Sequence, residues 1–402
     1  MASDAEAPKM IRRQFLRASA LAPAVLAQPT RLFAAEYDLV IRGGRVLDAA
    51  ERLDRVADVA IRDGRISAIR PNIAPSAAKE VLDATGKLVM PGLIDIHTHL
   101  ADKLLPPATC LADGVTTLLD AGSRGSDNPD DLLAIAQSAP NRVRILLNIG
   151  HLGVLPEGEL LDIENANVAR TRQVIERNRQ WIVGIKARLS RTVAGEHDLE
   201  AVRRARQVAD PLKVPIMVHV GQSVSPLPEI LALLRPGDIV THLYSPPPHG
   251  ILDDNGRVLP QVREARRRGI LFDVGNGRSG HITWDVAERA MQQDFLPDTI
   301  SSDMTAIGRT YQVFNLPNVM SKFMLLGMPV EQVIARVTAN AARAIPEFKA
   351  YGSLRTGAVA DVAVLDLKEG DFEFVDNADT KRTGHRKLFP YAVVVGGKRL
   401  QA

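Results

Sequence analysis

Between residues 91 and 351, short apolar runs alternate with segments whose apolar positions recur at helical spacing. Eight strands that alternate with helices over about 260 residues predict a (β/α)8 barrel. An open doubly wound sheet is the alternative, and the lack of a Gly-x-Gly-x-x-Gly sequence after an early strand disfavours it. The predicted strands are Leu93–His99, Val115–Asp120, Val143–Ile149, Ile182–Arg188, Pro215–Val220, Asp238–His242, Ile270–Val274 and Thr299–Asp303.

The two ends of the chain show a different pattern. Residues 36–90 and 352–402 contain short apolar runs between glycine-containing turns, which is typical of β-strands. Neither end alone offers a convincing core. We therefore expect both ends to pack together as one small β-sandwich beside the barrel, which takes residues 91–351.

The first 35 residues read as a targeting segment. Arg12-Arg13 precedes the moderately apolar stretch 18–27, a pattern typical of a bacterial Tat signal peptide; a basic amphipathic helix is the alternative. We expect the Tat export machinery to carry the folded protein to the periplasm or outside the cell.

Composition narrows the class of protein. The 402 residues are 46% hydrophobic and 24% charged, which is ordinary for a globular protein. The net charge of +3 comes entirely from residues 1–35, so the remainder carries no basic excess for nucleic acid. No later apolar run has transmembrane length, so no stable membrane anchor is expected. The single Cys110 excludes an internal disulfide and is expected to be a small core residue. The sequence is compatible with both a monomer and a homo-oligomer.

The first barrel strand carries candidate chemistry. It ends in His97-Thr98-His99, and side chains two positions apart in a strand point to the same face. Two neighbouring imidazoles can bind one divalent metal through neutral nitrogens. The alternative is a pair of core histidines satisfied by hydrogen bonds.

Further polar residues occupy other predicted strands. His219, His242 and Asp303 end the fifth, sixth and eighth strands, and Lys186 lies in the fourth. Catalytic groups of such barrels lie at the carboxyl ends of the strands. We therefore expect these side chains to meet His97 at one site.

Four segments carry a resemblance to a known family: Val183–Ser190, Leu234–His242, Phe272–Gly275 and Phe295–Asp303. Together with the histidines, they resemble the amidohydrolase superfamily of metal-dependent hydrolases, in particular its dihydroorotase and hydantoinase branch. The chain is most similar to the amidohydrolase/deacetylase group, some members of which hydrolyse acetylated 2-hydroxy acids such as acetyl-mandelate. The resemblance covers essentially the whole chain after residue 36.

The resemblance implies two metal ions. His97, His99 and Asp303 would hold a buried metal, and His219 and His242 a second. Lys186, carbamylated by CO₂, would give one oxygen to each metal; an ion pair with an inward carboxylate is the alternative. Nitrogen and oxygen ligands favour Zn²⁺, with Mn²⁺, Co²⁺ or Fe²⁺ as alternatives.

The expected reaction is hydrolysis of a small-molecule substrate. A metal-bridging hydroxide would attack a carbonyl, and Asp303 would accept its proton and deliver it to the leaving group; a purely ligating Asp303 is the alternative. We expect the substrate to be a small acylated molecule with an ester or exocyclic amide bond. A cyclic-amide hydrolase is the first alternative, and a non-catalytic scaffold protein is the second.

Three residues are candidates for substrate contacts. Arg188 would hold a substrate carboxylate or form a structural salt bridge, and Tyr244 would donate to an oxyanion or serve packing alone. Asn276 lies with His281 in a glycine-rich seventh loop, which is either an anion-binding loop or an ordinary flexible one.

Overall fold

A computed structural model describes residues 35–278 and 280–400. The expected signal peptide, residues 1–35, lies outside this range except for its last residue. Within the described ranges, no helix combines the length and apolar character needed to cross a bilayer.

The described chain contains fifteen strands. In chain order they are β1 (Tyr37–Asp48), β2 (Leu53–Arg62), β3 (Arg65–Arg70), β4 (Ala78–Asp83), β5 (Leu88–Pro91), β6 (Leu93–Thr98), β7 (Val115–Ala121), β8 (Arg142–Asn148), β9 (Ile182–Arg188), β10 (Ile216–His219), β11 (Ile239–Thr241), β12 (Leu271–Phe272), β13 (Val362–Val375), β14 (Lys381–Val395) and β15 (Lys398–Leu400).

Helices connect the strands of the central region and follow its last strand. They are α1 (Pro107–Ala112), α2 (Asp130–Ser138), α3 (Val168–Arg177), α4 (Arg191–Ala194), α5 (Asp198–Leu212), α6 (Leu227–Ala232), α7 (Pro260–Arg267), α8 (Trp284–Gln292), α9 (Ala306–Thr310), α10 (Leu316–Leu325), α11 (Val330–Arg336) and α12 (Ala339–Ala344). Short 3₁₀ helices occupy Pro75–Ala77, Ile163–Asn165, Gly195–His197 and Pro346–Phe348.

The predicted barrel is confirmed. Seven parallel strands follow one another in the sheet order β12-β11-β10-β9-β8-β7-β6. Residues 299–304 lie between the two edges of this sheet, because Thr299 bridges Asp273 and Met304 bridges Thr98, both in parallel. A barrel arrangement brings the carboxyl ends of all the strands to one rim.

The eighth predicted strand, residues 299–303, is less regular than the sequence suggests. Its backbone carbonyls at Thr299, Ser301 and Ser302 accept hydrogen bonds from the segment after β12. Asp303 then adopts φ +50°, a left-handed conformation that ends the extended backbone. The segment therefore closes the barrel through isolated bridges and turns its last carboxylate towards the site.

Both chain ends form one sheet, in the order β15-β14-β13-β5-β1-β2-β3, with β4 paired to β1. A bulge between Ile41 and Gly44 divides β1 into two halves. The first half pairs in parallel with β4 and the second with β5. Strand β5 pairs antiparallel with β13, where Val89 faces Val364, so the N-terminal and C-terminal parts join directly. Cys110 is buried, as expected.

Asp48 ties the end of β1 to the segment that precedes β13. Its carboxylate accepts backbone N–H groups from Ala50 at 2.9 Å and from Leu354 at 2.6 Å, and Asp48 is 1% exposed. A buried amide that loses its acceptor keeps its desolvation cost. Asp48 therefore helps to fasten the two ends together.

We expect Asp48→Ala to lower the free energy of unfolding by about 1–3 kcal/mol, because the Leu354 amide would remain buried without an acceptor. Denaturant unfolding with comparison of midpoints measures this. Glu373→Ala, which removes an exposed partner of Lys381, is the matched control and should cost at most about 1 kcal/mol. Equal effects of the two substitutions would contradict the fastening role.

Candidate metal centre

His97 and His99 lie at the carboxyl end of β6, next to the carboxylate of Asp303. The Oδ1 atom of Asp303 is 3.4 Å from His97 Nε2 and 3.1 Å from His99 Nε2. His97 and Asp303 are buried, and His99 is partly exposed. One carboxylate oxygen thus lies between two imidazole nitrogens.

His219 ends β10, and His242 directly follows β11. Their rings are in edge contact, with centroids 4.2 Å apart, and His242 is also 5.1 Å from the ring of His97. His242 has φ +66°, an uncommon conformation for a residue with a side chain. The fold maintains this conformation next to the cluster, as is frequent at functional sites.

Lys186 lies in β9 with 1% of its surface exposed. Its Nζ is 3.1 Å from His97 Nε2 and 3.4 Å from Met217 Sδ. Burial lowers the pKa of Lys186 to about 7. Near neutral pH much of this amine is therefore uncharged, the form that can react with CO₂. No carboxylate among the described residues lies within ion-pair distance of Nζ, so the ion-pair alternative is not observed.

Burial also favours the neutral form of three of the imidazoles. It lowers the pKa of His97 to about 4 and holds the pKa values of His219 and His242 well below the usual range. For Asp303, burial raises the pKa, but the influence of His97 and the contacts with other histidines outweigh it and hold the pKa well below normal. Neutral imidazoles and an ionised carboxylate are the forms that bind metals.

A hydrogen-bond relay fixes the tautomer of His97. Thr241 Oγ1 donates to Asp273 Oδ2 at 2.8 Å, so it accepts from His97 Nδ1, 2.9 Å away. The proton is therefore on Nδ1, and the Nε2 lone pair faces the cluster. Lys186 Nζ approaches this same Nε2, which agrees with that assignment.

His99 and His242 are held in the same way. Ser123 Oγ donates to Asp120 Oδ2 at 2.6 Å and accepts from His99 Nδ1 at 3.0 Å. His242 Nδ1 donates to the carbonyl of Gly275 at 2.7 Å. Each of these rings turns Nε2 towards the common space, an arrangement that is frequent behind metal-binding histidines.

The side chains present fit divalent metal ions. In the described part of the chain, two groups offer one ligand atom per residue with all atoms within 4.8 Å: His219, His242 and His281, and His97, His242 and Asp303. His99 joins the second group through its contact with Asp303. The structure thus brings together all six ligands that the resemblance implies, with Lys186 beside His97.

His281 is the site residue that the sequence analysis left as an ordinary loop residue. Its Nδ1 is 3.1 Å from Asp303 Oδ2, and its ring stacks on His242 with centroids 3.7 Å apart. The residue follows a glycine-rich segment rather than a predicted strand end, so strand position could not reveal it. The conformation of this loop brings the ring to the cluster.

The three candidate substrate residues have different surroundings. Arg188 lines the cavity but forms an ion pair with the buried Glu159 at 2.8 Å, which favours its structural role. Tyr244 is fully buried outside the cavity wall and donates to the Phe295 carbonyl at 3.3 Å, so its geometry corresponds to the packing alternative. Asn276 is also buried away from the cavity, where its Oδ1 accepts from Lys322 at 3.0 Å.

The cluster lies at the floor of a cavity of about 930 Å³. Val154, Leu155 and Ile307 contribute the apolar part of its wall. Arg124, Arg188 and Arg278 also reach the cavity. The volume suits a small molecule.

Comparisons with known proteins agree with this geometry. The profile of the amidohydrolase family matches residues 88–400. The chain is 33% identical over 363 residues to a deacetylase of Brucella anthropi. This match covers 88% of this chain and 90% of that protein. The crystal structure of an adenine deaminase superposes with a TM-score of 0.83 at 28% identity, over 91% of this chain and 100% of that one. The crystal structure of a dihydroorotase superposes with a TM-score of 0.82 at 30% identity, and the match covers 90% of this chain and 99% of that one.

We expect Thr241→Val to weaken the binding of divalent metal about 10–100-fold, because the relay that orients His97 would be broken. Thr241→Ser keeps the hydroxyl and should bind metal nearly as the parent does. Titration of metal-free protein against a competing chelator measures the affinities, and circular dichroism checks that both variants fold. Unchanged affinity in a folded Thr241→Val variant would show that the relay is not needed.

Proposed function

This chain belongs to the amidohydrolase family and is a hydrolase, and we propose that it uses two metal ions to cleave an ester or exocyclic amide bond of a small acylated substrate. The convergence of His97, His99, Lys186, His219, His242 and Asp303 at one cavity floor carries this proposal. The name of the Brucella anthropi relative supports the acylated substrate.

Each residue has a distinct part in the proposed centre. His97, His99 and Asp303 would hold one metal, and His219 and His242 the other. A carbamate on Lys186 would supply an anionic oxygen to each. Zinc is the metal that these ligands favour, with manganese, cobalt and iron as the other choices.

The chemistry needs an activated water and a proton acceptor. Bound divalent metals lower the pKa of water and polarise a carbonyl group. Asp303, ionised and within 3.4 Å of the imidazoles of both His97 and His99, accepts the proton of the attacking water. It then delivers that proton to the leaving alcohol or amine as the tetrahedral carbon collapses.

Charge in the cavity supports a substrate that carries an anionic group. Arg188 is paired with Glu159, and Arg124 is paired with Asp131 at 2.7 Å. Among the described residues, Arg278 has no carboxylate within ion-pair distance although it lines the cavity. Arg278 would thus meet the anion while the apolar wall receives the rest of the molecule.

A cyclic-amide hydrolase is the second candidate. The same ligands would serve ring opening of a cyclic amide. A dihydroorotase structure is 30% identical to the chain and covers 90% of it. A panel of acylated hydroxy acids, acylated amino acids and cyclic amides separates the two candidates. Turnover confined to cyclic amides would replace the acyl-group proposal.

We expect the parent protein, purified with bicarbonate, to hold about two divalent metals per chain and Lys186→Ala to hold fewer and lose hydrolysis. After exposure to ¹³C-bicarbonate, the parent should show a carbamate resonance that the variant lacks. Lys349→Ala, an exposed lysine, is the control and should behave as the parent. One metal or none in the parent, or unchanged content in Lys186→Ala, would reject the bridged centre.

Asp303→Asn should reduce kcat by about 10²-fold or more, because an amide cannot accept the proton. Steady-state kinetics measures the loss, and metal analysis of the same sample separates a proton role from lost metal. Asp371→Asn, which changes an exposed carboxylate, should leave kcat unchanged. A metal-loaded Asp303→Asn enzyme that kept more than about a tenth of parental turnover would refute the proton transfer.

A further inference from the structure

The hairpin turn between β13 and β14 contacts the seventh barrel loop through Asn377. The side-chain Oδ1 of Asn377 accepts the backbone N–H groups of His281 and Ile282, each at 3.0 Å. Its Nδ2 donates to the carbonyl of Gly277 at 3.1 Å. One amide side chain therefore fastens two points of the loop that carries His281.

Neighbouring contacts make this attachment rigid. The backbone N–H of Asn377 donates to the carbonyl of Ile282 at 3.0 Å. Asp376 Oδ2 accepts from the backbone N–H of Trp284 at 2.9 Å, and the Trp284 indole donates to the Thr380 carbonyl at 2.8 Å. The start of α8 and the loop before it are thus attached to a turn of the flanking sheet.

A buried lysine holds the other side of the loop. Lys322, in α10, donates to Asn276 Oδ1 at 3.0 Å and to the Gln312 carbonyl at 2.6 Å. Asn276 precedes Gly277, whose carbonyl Asn377 binds. The loop is therefore fixed from the barrel side as well as from the flanking sheet.

The imidazole of His281 has an unused nitrogen in the metal cluster. Its buried Nδ1 has no hydrogen-bond partner of acceptable geometry in the described part of the chain, although Asp303 Oδ2 is 3.1 Å away. A Cβ atom at Gly277 would lie 2.2 Å from this nitrogen, so a glycine is required beside it. A buried ring nitrogen that makes no hydrogen bond and lies beside other histidines is available to bind a metal.

We propose that His281 is a third imidazole ligand of the metal held by His219 and His242, and that Asn377 positions it. The inference rests on the proposed two-metal function. The ligand atoms of the three histidines already lie within 4.8 Å of one another. Together with the carbamate oxygen of Lys186, three imidazoles would give Zn²⁺ four donors, and catalytic zinc can expand to a fifth position for water or substrate. A turn of the flanking sheet thereby becomes part of the metal site.

Titration of metal-free protein with Co²⁺, followed by the visible absorption of the bound ion, tests the proposal. We expect His281→Ala to weaken one of the two binding steps, here called the second step, about 10–100-fold and to change its absorption spectrum, while the other step is unchanged. His385→Ala, an exposed histidine of β14, is the control. His281→Gln, with intact thermal unfolding, serves if His281→Ala does not fold.

Asn377 variants test the positioning role separately. Asn377→Ala should weaken the second step in the same direction as His281→Ala, though less, since the ring remains present. Asn377→Asp keeps an oxygen for both backbone N–H groups and should restore most of the affinity. Parental affinity in Asn377→Ala would remove Asn377 from the proposal.

The outcomes separate this inference from the proposed function. If the parent binds one Co²⁺ only, the two-metal function fails and the inference fails with it. If the parent binds two and a folded His281 variant binds both with unchanged affinity and spectrum, the inference is overturned while the proposed function stands. Selective loss of the second step supports both.

Discussion

Burial of the site's side chains at the carboxyl end of the barrel is the constraint on which the site depends. His97, His219, His242 and Lys186 are all buried there, and burial lowers the pKa of each. For the three imidazoles, charging would cost more than the nearby acceptors return, so the rings stay neutral and can offer lone pairs. The desolvation that disfavours charged side chains therefore leaves uncharged nitrogen atoms that can bind cations.

Short hydrogen-bond relays hold the buried rings in place. Asp273 accepts from Thr241, Thr299 and Ser301, and Asp120 accepts from Ser123. These carboxylates do not touch the cavity, yet they decide which nitrogen of each ring carries the proton. A hydroxyl between carboxylate and imidazole transmits that choice, while Asp273 Oδ2 itself stays 3.8 Å from His97 Nδ1.

Much of this could be predicted from residue periodicity. Strand β9 has the predicted bounds, and the six expected ligands meet because parallel strands end at one rim. The place of His281 in the site could not be predicted, because it depends on the conformation of a loop and loop residues show no periodic pattern. The role of Asn377 could not be predicted either, because it lies in the turn between β13 and β14 of the flanking sheet. Its contact with the loop depends on long-range packing, which no local sequence pattern predicts. Tyr244 shows the converse: it follows a site histidine in sequence but turns into the core.

The direct pairing of β5 with β13 has a consequence for the order in which the molecule is made. Val89 leaves the ribosome early, but its partner Val364 emerges near the end of synthesis. Such non-local pairs close late, after the loop entropy between them has been overcome. The barrel strands are synthesised before then, so the seventh loop can contact Asn377 only after the hairpin turn has emerged. The attachment of the seventh loop to the flanking sheet is therefore among the last contacts that the growing chain can make.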